Sequence, residues 1–200
     1  MDSVTSTRLV LGGTFDPIHY GHLRCARAAA DALGIQTVVL IPNHVPPLKR
    51  LHPSPAPADE RLGMCRLAIS DLAGFEVDDR ELRRTGPSYT IDTVRELKQA
   101  GWAQVPWLIG ADQLPYLHKW HEPHALLSEA LIYVTARPGF DIQWSTMSAE
   151  VKSLIGRVVL TPPVDISSTE IRRRVHEGVS IDGLTPPAVC RYIRERGLYL

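Results

Sequence analysis

The sequence predicts an α/β fold on a doubly wound, mostly parallel sheet, and three observations predict it. Short apolar runs alternate with longer stretches of helical period, as a parallel sheet with helices on both faces requires. The first apolar run passes through a glycine turn straight into a helix. The chain has 200 residues, enough for a single domain over 1–200 with a full core.

Taken in order, Arg8-Leu9-Val10-Leu11 reads as a short buried strand. Gly12 and Gly13 let backbone approach a ligand without a Cβ, and Asp16-Pro17 makes a turn. The following helix carries Leu23, Ala26, Ala30 and Leu33 on one face, with Gly34 at the expected C-terminal cap. A second strand is expected over 37–41, a helix over 58–72 and a short strand over 74–77. Residues 91–100 form a helix with Ile91, Val94 and Leu97 on one side. Strands follow over 105–109, 131–135 and 158–160, and 187–196 is helical. Between 42 and 57, Pro42, Pro46, Pro47, Pro53, Pro55 and Pro57 exclude regular structure, and so long a loop in a compact domain points to function or motion.

Two segments carry chemistry. In Gly12-Gly13-Thr14-Phe15-Asp16-Pro17-Ile18-His19-Tyr20-Gly21-His22-Leu23, His19 precedes the helix and His22 lies in its first turn, so both imidazoles can reach one anion. Phosphate there would also meet free backbone N–H groups at the positive end of the helix dipole. A phosphoryl centre under attack gathers negative charge, and N–H donors aimed at it stabilise the transition state more than the ground state. In Ile166-Ser167-Ser168-Thr169-Glu170-Ile171-Arg172, Ser167 is a natural N-cap, Glu170 completes a capping box, and Ile166 and Ile171 are spaced for a hydrophobic staple. Ser168 and Arg172 are four apart and share a face. Their convergence fits triphosphate binding, and it fits equally a well-capped surface helix with a basic patch at Arg172-Arg173-Arg174.

Composition narrows the partners. Lys+Arg and Asp+Glu are both 22, so the chain has no net charge, which disfavours bulk nucleic acid as a partner. Cys25, Cys65 and Cys190 are odd in number and far apart, which argues against a disulfide framework and for a reducing cytoplasm. No apolar signal segment or bilayer-length run occurs, so no membrane is expected. His118, His121 and His124 recur every third residue, but Pro123 interrupts the helix that would align them, and no resident metal site is expected.

Four further segments bear on specificity. Pro87 to Val94 places Ser88, Tyr89 and Thr90 at a helix start suited to a carboxylate or amide, or to an ordinary Ser/Thr cap. In Ile109-Gly110-Ala111-Asp112-Gln113 a strand ends and a helix begins. Gly110 allows close approach there, and Asp112 can accept from ribose hydroxyls or cap the helix. Trp120 can stack on a planar heterocycle or simply pack. Arg137-Pro138-Gly139 closes a strand and offers a cation or a turn.

The His19-Tyr20-Gly21-His22 turn resembles the His-x-Gly-His motif of the nucleotidylyltransferase superfamily, and residues 166–172 are similar to its second signature, Ile-Ser-Ser-Thr-x-Ile-Arg. With the other segments, from Gly12 to Arg172, the chain resembles the bacterial-type nicotinate mononucleotide adenylyltransferase family. The resemblance implies a Rossmann-like fold and transfer of AMP from ATP, entering with Mg²⁺, to nicotinate mononucleotide. It implies that His19, His22 and Arg172 serve catalysis, Arg172 by steadying the departing pyrophosphate. ATP would meet Gly12, Gly13, Thr14, Phe15, Gly110, Asp112, Arg137, Ile166, Ser167, Ser168, Thr169 and Ile171. The mononucleotide would meet Asp16, Lys49, Ser88, Tyr89 and Thr90, with Trp120 stacked on its ring.

This chain departs from the family at Leu48, where Pro-Pro-His-Lys is common, and at His121-Glu122-Pro123, where His-x-Trp often follows the first Trp. Pantetheine-phosphate adenylyltransferases and cytidylyltransferases share both signatures but differ in the acceptor pocket, where Ser88-Tyr89-Thr90 with Trp120 favours a pyridine ring. A nucleotide-binding sensor would keep ATP without turning it over. An aminoacyl-tRNA synthetase fragment would carry a Lys-Met-Ser-Lys-Ser loop, which this chain lacks.

Overall fold

Six strands make one all-parallel sheet in the order β3-β2-β1-β4-β5-β6. They are β1 Arg8–Gly13, β2 Thr37–Pro42, β3 Phe75–Val77, β4 Pro106–Gly110, β5 Leu131–Ala136 and β6 Ile155–Leu160. The helices are α1 Tyr20–Leu33, α2 Ala58–Ile69, α3 Thr90–Gln99, α4 Pro123–Glu129, α5 Ser168–His176 and α6 Pro187–Glu195. This computed structural model describes residues 8–47, 56–136, 144, 152 and 155–200. Lys49, Arg137 and the substituted Leu48 lie outside the described residues.

Alternation along each strand sorts the core into two layers. Leu9, Val38, Leu40 and Leu108 face one side, where Leu23, Ala26 and Ala30 of α1, Met64 and Cys65 of α2, Ile171 of α5 and Val189 and Ile193 of α6 cover them. Val10, Val39, Ile41, Trp107 and Ile109 face the other, against Ile91, Val94 and Leu97 of α3 and Leu126 and Leu127 of α4. Covered on both faces, the strands read as near-continuous apolar runs, which is why they are legible in the sequence. The doubly wound α/β expectation holds.

Some boundaries differ from expectation. The helix expected over 58–72 ends at Ile69, and Leu72 beyond it is 41 % exposed. The helix expected to begin within 109–113 is a 3₁₀ helix, Ala111–Lys119, because the ring of Pro115 inside it opposes α-helical packing against the preceding turn. Pro42, expected in the loop, ends β2, and β6 begins at Ile155 rather than 158. α1 closes as expected, with Gly34 in the left-handed region at φ 69°.

The strand order reverses at β1, which pairs with β2 on one side and β4 on the other. In open α/β sheets a crevice opens at this point beyond the carboxyl ends of the strands. Among the described residues no helix is long and apolar enough to cross a membrane.

Candidate active site

A cavity of about 1230 Å³ occupies that crevice. Its volume exceeds that of a typical small-ligand pocket and leaves room for two nucleotide-sized substrates. Gly12, Gly13 and Thr14 at the end of β1, His19 and His22 of the first motif, and Ile166 to Ser168 of the second all line it.

The first motif is shaped from within. His19 is the N-cap of α1. Its backbone N–H donates to Nδ1 of His22 at 3.3 Å, so a neutral His22 carries its proton on Nε2. The two rings stack with centroids 3.7 Å apart, and Phe15 meets His22 edge-on at 5.2 Å. Gly21 is sterically required: a Cβ there would lie 2.8 Å from the His19 ring. Gly12 is required for packing, because its Cβ would fall 2.6 Å from the Trp107 ring. Burial holds His19 at a pKa of about 4, so it is neutral near pH 7. Its Nδ1 is buried at the cavity wall and has no partner among the described residues.

The second motif docks on the first. Ser168 Oγ donates to the Pro17 carbonyl at 2.9 Å, and Arg172 Nη1 donates to the Asp16 carbonyl at 2.7 Å. Ser167 caps α5 by accepting from the Glu170 N–H at 3.2 Å. Glu170 does not complete the expected capping box; its carboxylate takes Arg173 and Arg174 instead, which hold its pKa at about 2. Ile166 and Ile171 share one core cluster, as the staple requires. The basic patch expected at 172–174 is partly neutralised, since Arg173 pairs with Glu170 and Glu177, and Arg174 with Glu170.

Several residues expected to touch substrate do not line the cavity. Phe15 and Ile171 are core residues, at 2 % and 0 % exposure, because each apolar side chain packs beneath its motif. Thr169 accepts from Arg172 at 3.4 Å on the exposed side of α5. The Arg172 guanidinium is turned onto the Asp16 carbonyl, so its visible work is to join the two motifs. The Asp16 carboxylate is buried and accepts from the Tyr199 hydroxyl at 2.6 Å.

Ser88, Tyr89, Thr90 and Trp120 also line the cavity. Ser88 is committed to structure: its Oγ accepts from the His44 N–H at 2.8 Å and its N–H donates to the Val45 carbonyl at 2.9 Å. Tyr89 stacks on His121 at 4.1 Å, and Trp120 Nε1 is buried with no partner among the described residues. Gly110 and Asp112 reach the cavity from β4. Asp112 accepts from Gln113 at 2.8 Å and caps no backbone.

Two supporting residues escaped the sequence reading. Arg61, 1 % exposed, donates to the carbonyls of Thr14 at 2.6 Å, Asn43 at 2.7 Å, His44 at 3.3 Å and Ala56 at 3.3 Å, clamping the first motif to the exit of β2. The signal was present, for Arg61 shares the buried stripe of α2 with Met64, Cys65 and Ala68. Glu81 lines the cavity, accepts from Thr93 at 2.6 Å, and has its pKa raised by burial against the opposing pull of Thr93, Arg84 and Ser88. Nothing in its local sequence marks it. Among the described residues no group of three His, Cys, Asp or Glu could hold a metal ion.

Comparison with known proteins bears on the family and the fold. The family model described as cytidylyltransferase-like matches residues 10–174. A Serratia proteamaculans protein named "Probable nicotinate-nucleotide adenylyltransferase" is 43% identical, with 98% of this chain and 96% of that protein covered. One of the same name from Herpetosiphon aurantiacus is 41% identical, covering 96% of this chain and 97% of that one. A solved Plasmodium falciparum nicotinic acid mononucleotide adenylyltransferase, complexed with NaAD, superposes with a TM-score of 0.75. It is 20% identical, covers 96% of each chain, and so speaks to the fold alone.

Proposed function

We propose, from the premise that this chain belongs to the cytidylyltransferase-like family, that it is a nicotinate-nucleotide adenylyltransferase acting in NAD biosynthesis. The observation that carries the reading is the docking of the second motif onto the first at the switch-point crevice, through Ser168 to Pro17 and Arg172 to Asp16. It brings serine hydroxyls and an α-helix start beside two imidazoles, and that donor set suits a polyphosphate.

In the reaction the 5′-phosphate of nicotinate mononucleotide attacks the α-phosphorus of ATP in line. A P–O bond forms to the mononucleotide phosphate, the bond to the bridging oxygen breaks, and its electron pair leaves with pyrophosphate. The nucleophile is already an anion, so neither a general base nor a covalent enzyme intermediate is needed. The work left to the protein is alignment and charge stabilisation. His19 and His22 donate N–H groups to the non-bridging oxygens as charge grows there, and each such donor is worth about 3 kcal/mol in the transition state. The turn at Ser167 and Ser168 cradles the β- and γ-phosphates, Gly110 and Asp112 meet the adenosine, and Tyr89, Thr90 and Trp120 enclose the pyridine ring. Mg²⁺ enters as part of the ATP substrate, held by phosphate oxygens and water.

A coupled pyrophosphate assay tests this directly. Release with ATP and nicotinate mononucleotide, exceeding that with nicotinamide mononucleotide or phosphopantetheine, is expected. His19→Ala and His22→Ala should each lower kcat about a hundredfold while the fold persists. Preference for phosphopantetheine, or near-parental turnover in both folded variants, overturns the assignment.

A further inference from the structure

The turn carrying the imidazole pair is held from outside almost residue by residue. The Thr14 carbonyl accepts from Arg61 at 2.6 Å, Asp16 from Arg172 at 2.7 Å, Pro17 from Ser168 at 2.9 Å and Ile18 from Thr185 at 2.7 Å. All four contacts grip backbone. The Asp16 side chain is gripped by Tyr199, whose hydroxyl donates to Oδ1 at 2.6 Å across 183 positions of sequence.

This contact has the character of a built one. Asp16 is 4 % exposed, so its carboxylate lies out of water and needs donors. Tyr199 reaches it from beyond α6. Leu198 N–H first donates to the Ile193 carbonyl at 3.0 Å, and Tyr199 then adopts φ 65°, a left-handed conformation unfavourable for an aromatic residue. Its ring packs against the same core cluster that contains Phe15 and Ile18 of the turn. Burial and the neighbouring Asp16 carboxylate raise the pKa of the phenol, keeping the hydroxyl protonated as a donor.

We propose that Tyr199 is a positioning residue for adenylyl transfer: by fixing the Asp16 side chain it sets the turn that aims His19 and His22. The inference rests on the adenylyltransferase reading above. Donors to a transition state act only within a narrow range of geometry, and a displacement of about 1 Å can cost a hundredfold in rate. Tyr199 thus affects the chemistry without touching substrate.

Tyr199→Phe keeps the ring and removes the hydroxyl. The expected result is a kcat, per folded molecule, about tenfold below the parent, with both KM values within twofold. The ¹⁵N resonances of the His19 and His22 imidazoles should also shift in the substrate-free protein. Asp16→Ala should reproduce the loss, and Tyr199→Phe added to it should cost nothing more, since the two act as one unit. A purely structural role would lower the melting temperature and leave kcat per folded molecule and the imidazole resonances unchanged. A kcat within twofold of the parent, unchanged resonances, or additive losses would overturn the proposal. Should the parent release no pyrophosphate, the functional reading fails, while the imidazole resonances still decide whether Tyr199 sets the turn.

Discussion

His19 stays neutral because burial outweighs its attraction to protons, and this has two consequences for pH. With a folded pKa of about 4 against an ordinary 6.5, the unfolded chain takes up a proton on acidification before the folded one does. Stability from this group is therefore complete above pH 6.5 and lost as pH falls toward 4, by about 3 kcal/mol at most. Equilibrium unfolding of the parent and His19→Gln between pH 4 and 7 should show the variant lacking that share of the slope. The kcat/KM profile, which reports the free enzyme, should likewise carry no inflection from His19 between pH 6 and 8. Arg61 is the second critical residue. Arg61→Met leaves the Thr14, Asn43, His44 and Ala56 carbonyls without their donor, and a destabilisation of about 3 kcal/mol or more is expected in denaturant unfolding. Arg61→Lys, with charge but no planar fork, should recover only part of it.

At the scale of elements, α5 depends on a cap at its start and an anchor beneath it. Ser167→Ala removes the acceptor for the Glu170 N–H and should cost about 1 kcal/mol. Ile171→Ala empties a fully buried site and should cost about 2–5 kcal/mol. Denaturant midpoints that reverse this order would place the hold on α5 in its cap rather than its core. The helix was legible because capping and staple signals are local: each needs only residues a few positions apart. The strands were legible for a related reason, since burial on both faces demands unbroken apolar runs. The hand-over from Glu170 to Arg173 and Arg174 was hidden, because charged side chains compete for the carboxylate and a spacing pattern cannot show which partner wins. Phe15 and Ile171 turn their side chains into the core rather than the cavity for a different cause. A motif mixes residues that touch ligand with residues that hold the motif in place, and only packing separates the two classes. Asp16, Arg172 and Tyr199 meet across more than 150 positions, a distance at which no periodicity carries information.

At the scale of the whole molecule, the cavity draws on both sides of the sheet's switch point, so the two substrates should be separable by mutation. Gly110, Asp112, Ser167 and Ser168, and Tyr89, Thr90 and Trp120, all line it; in the proposed function the first set takes ATP and the second the acceptor. A ligand at about a hundredfold its Kd stabilises by about 2.7 kcal/mol. For a chain of this length, that corresponds to a rise in Tm of about 5–10 °C. Trp120→Ala removes a ring surface worth about 1 kcal/mol in stacking, which is roughly a fivefold loss of mononucleotide affinity. At one fixed concentration, about a hundredfold the parent's Kd, the Tm shift with nicotinate mononucleotide should shrink in the variant while the shift with MgATP stays within about 1 °C of the parent. Trp120 also packs against the α3 and α4 core layer, so the unliganded Tm will fall somewhat, and the comparison must be of shifts rather than of absolute values. Loss of both shifts together would mean that Trp120 supports the cavity as a whole, and the division of the crevice into an adenosine half and a pyridine half would then be wrong.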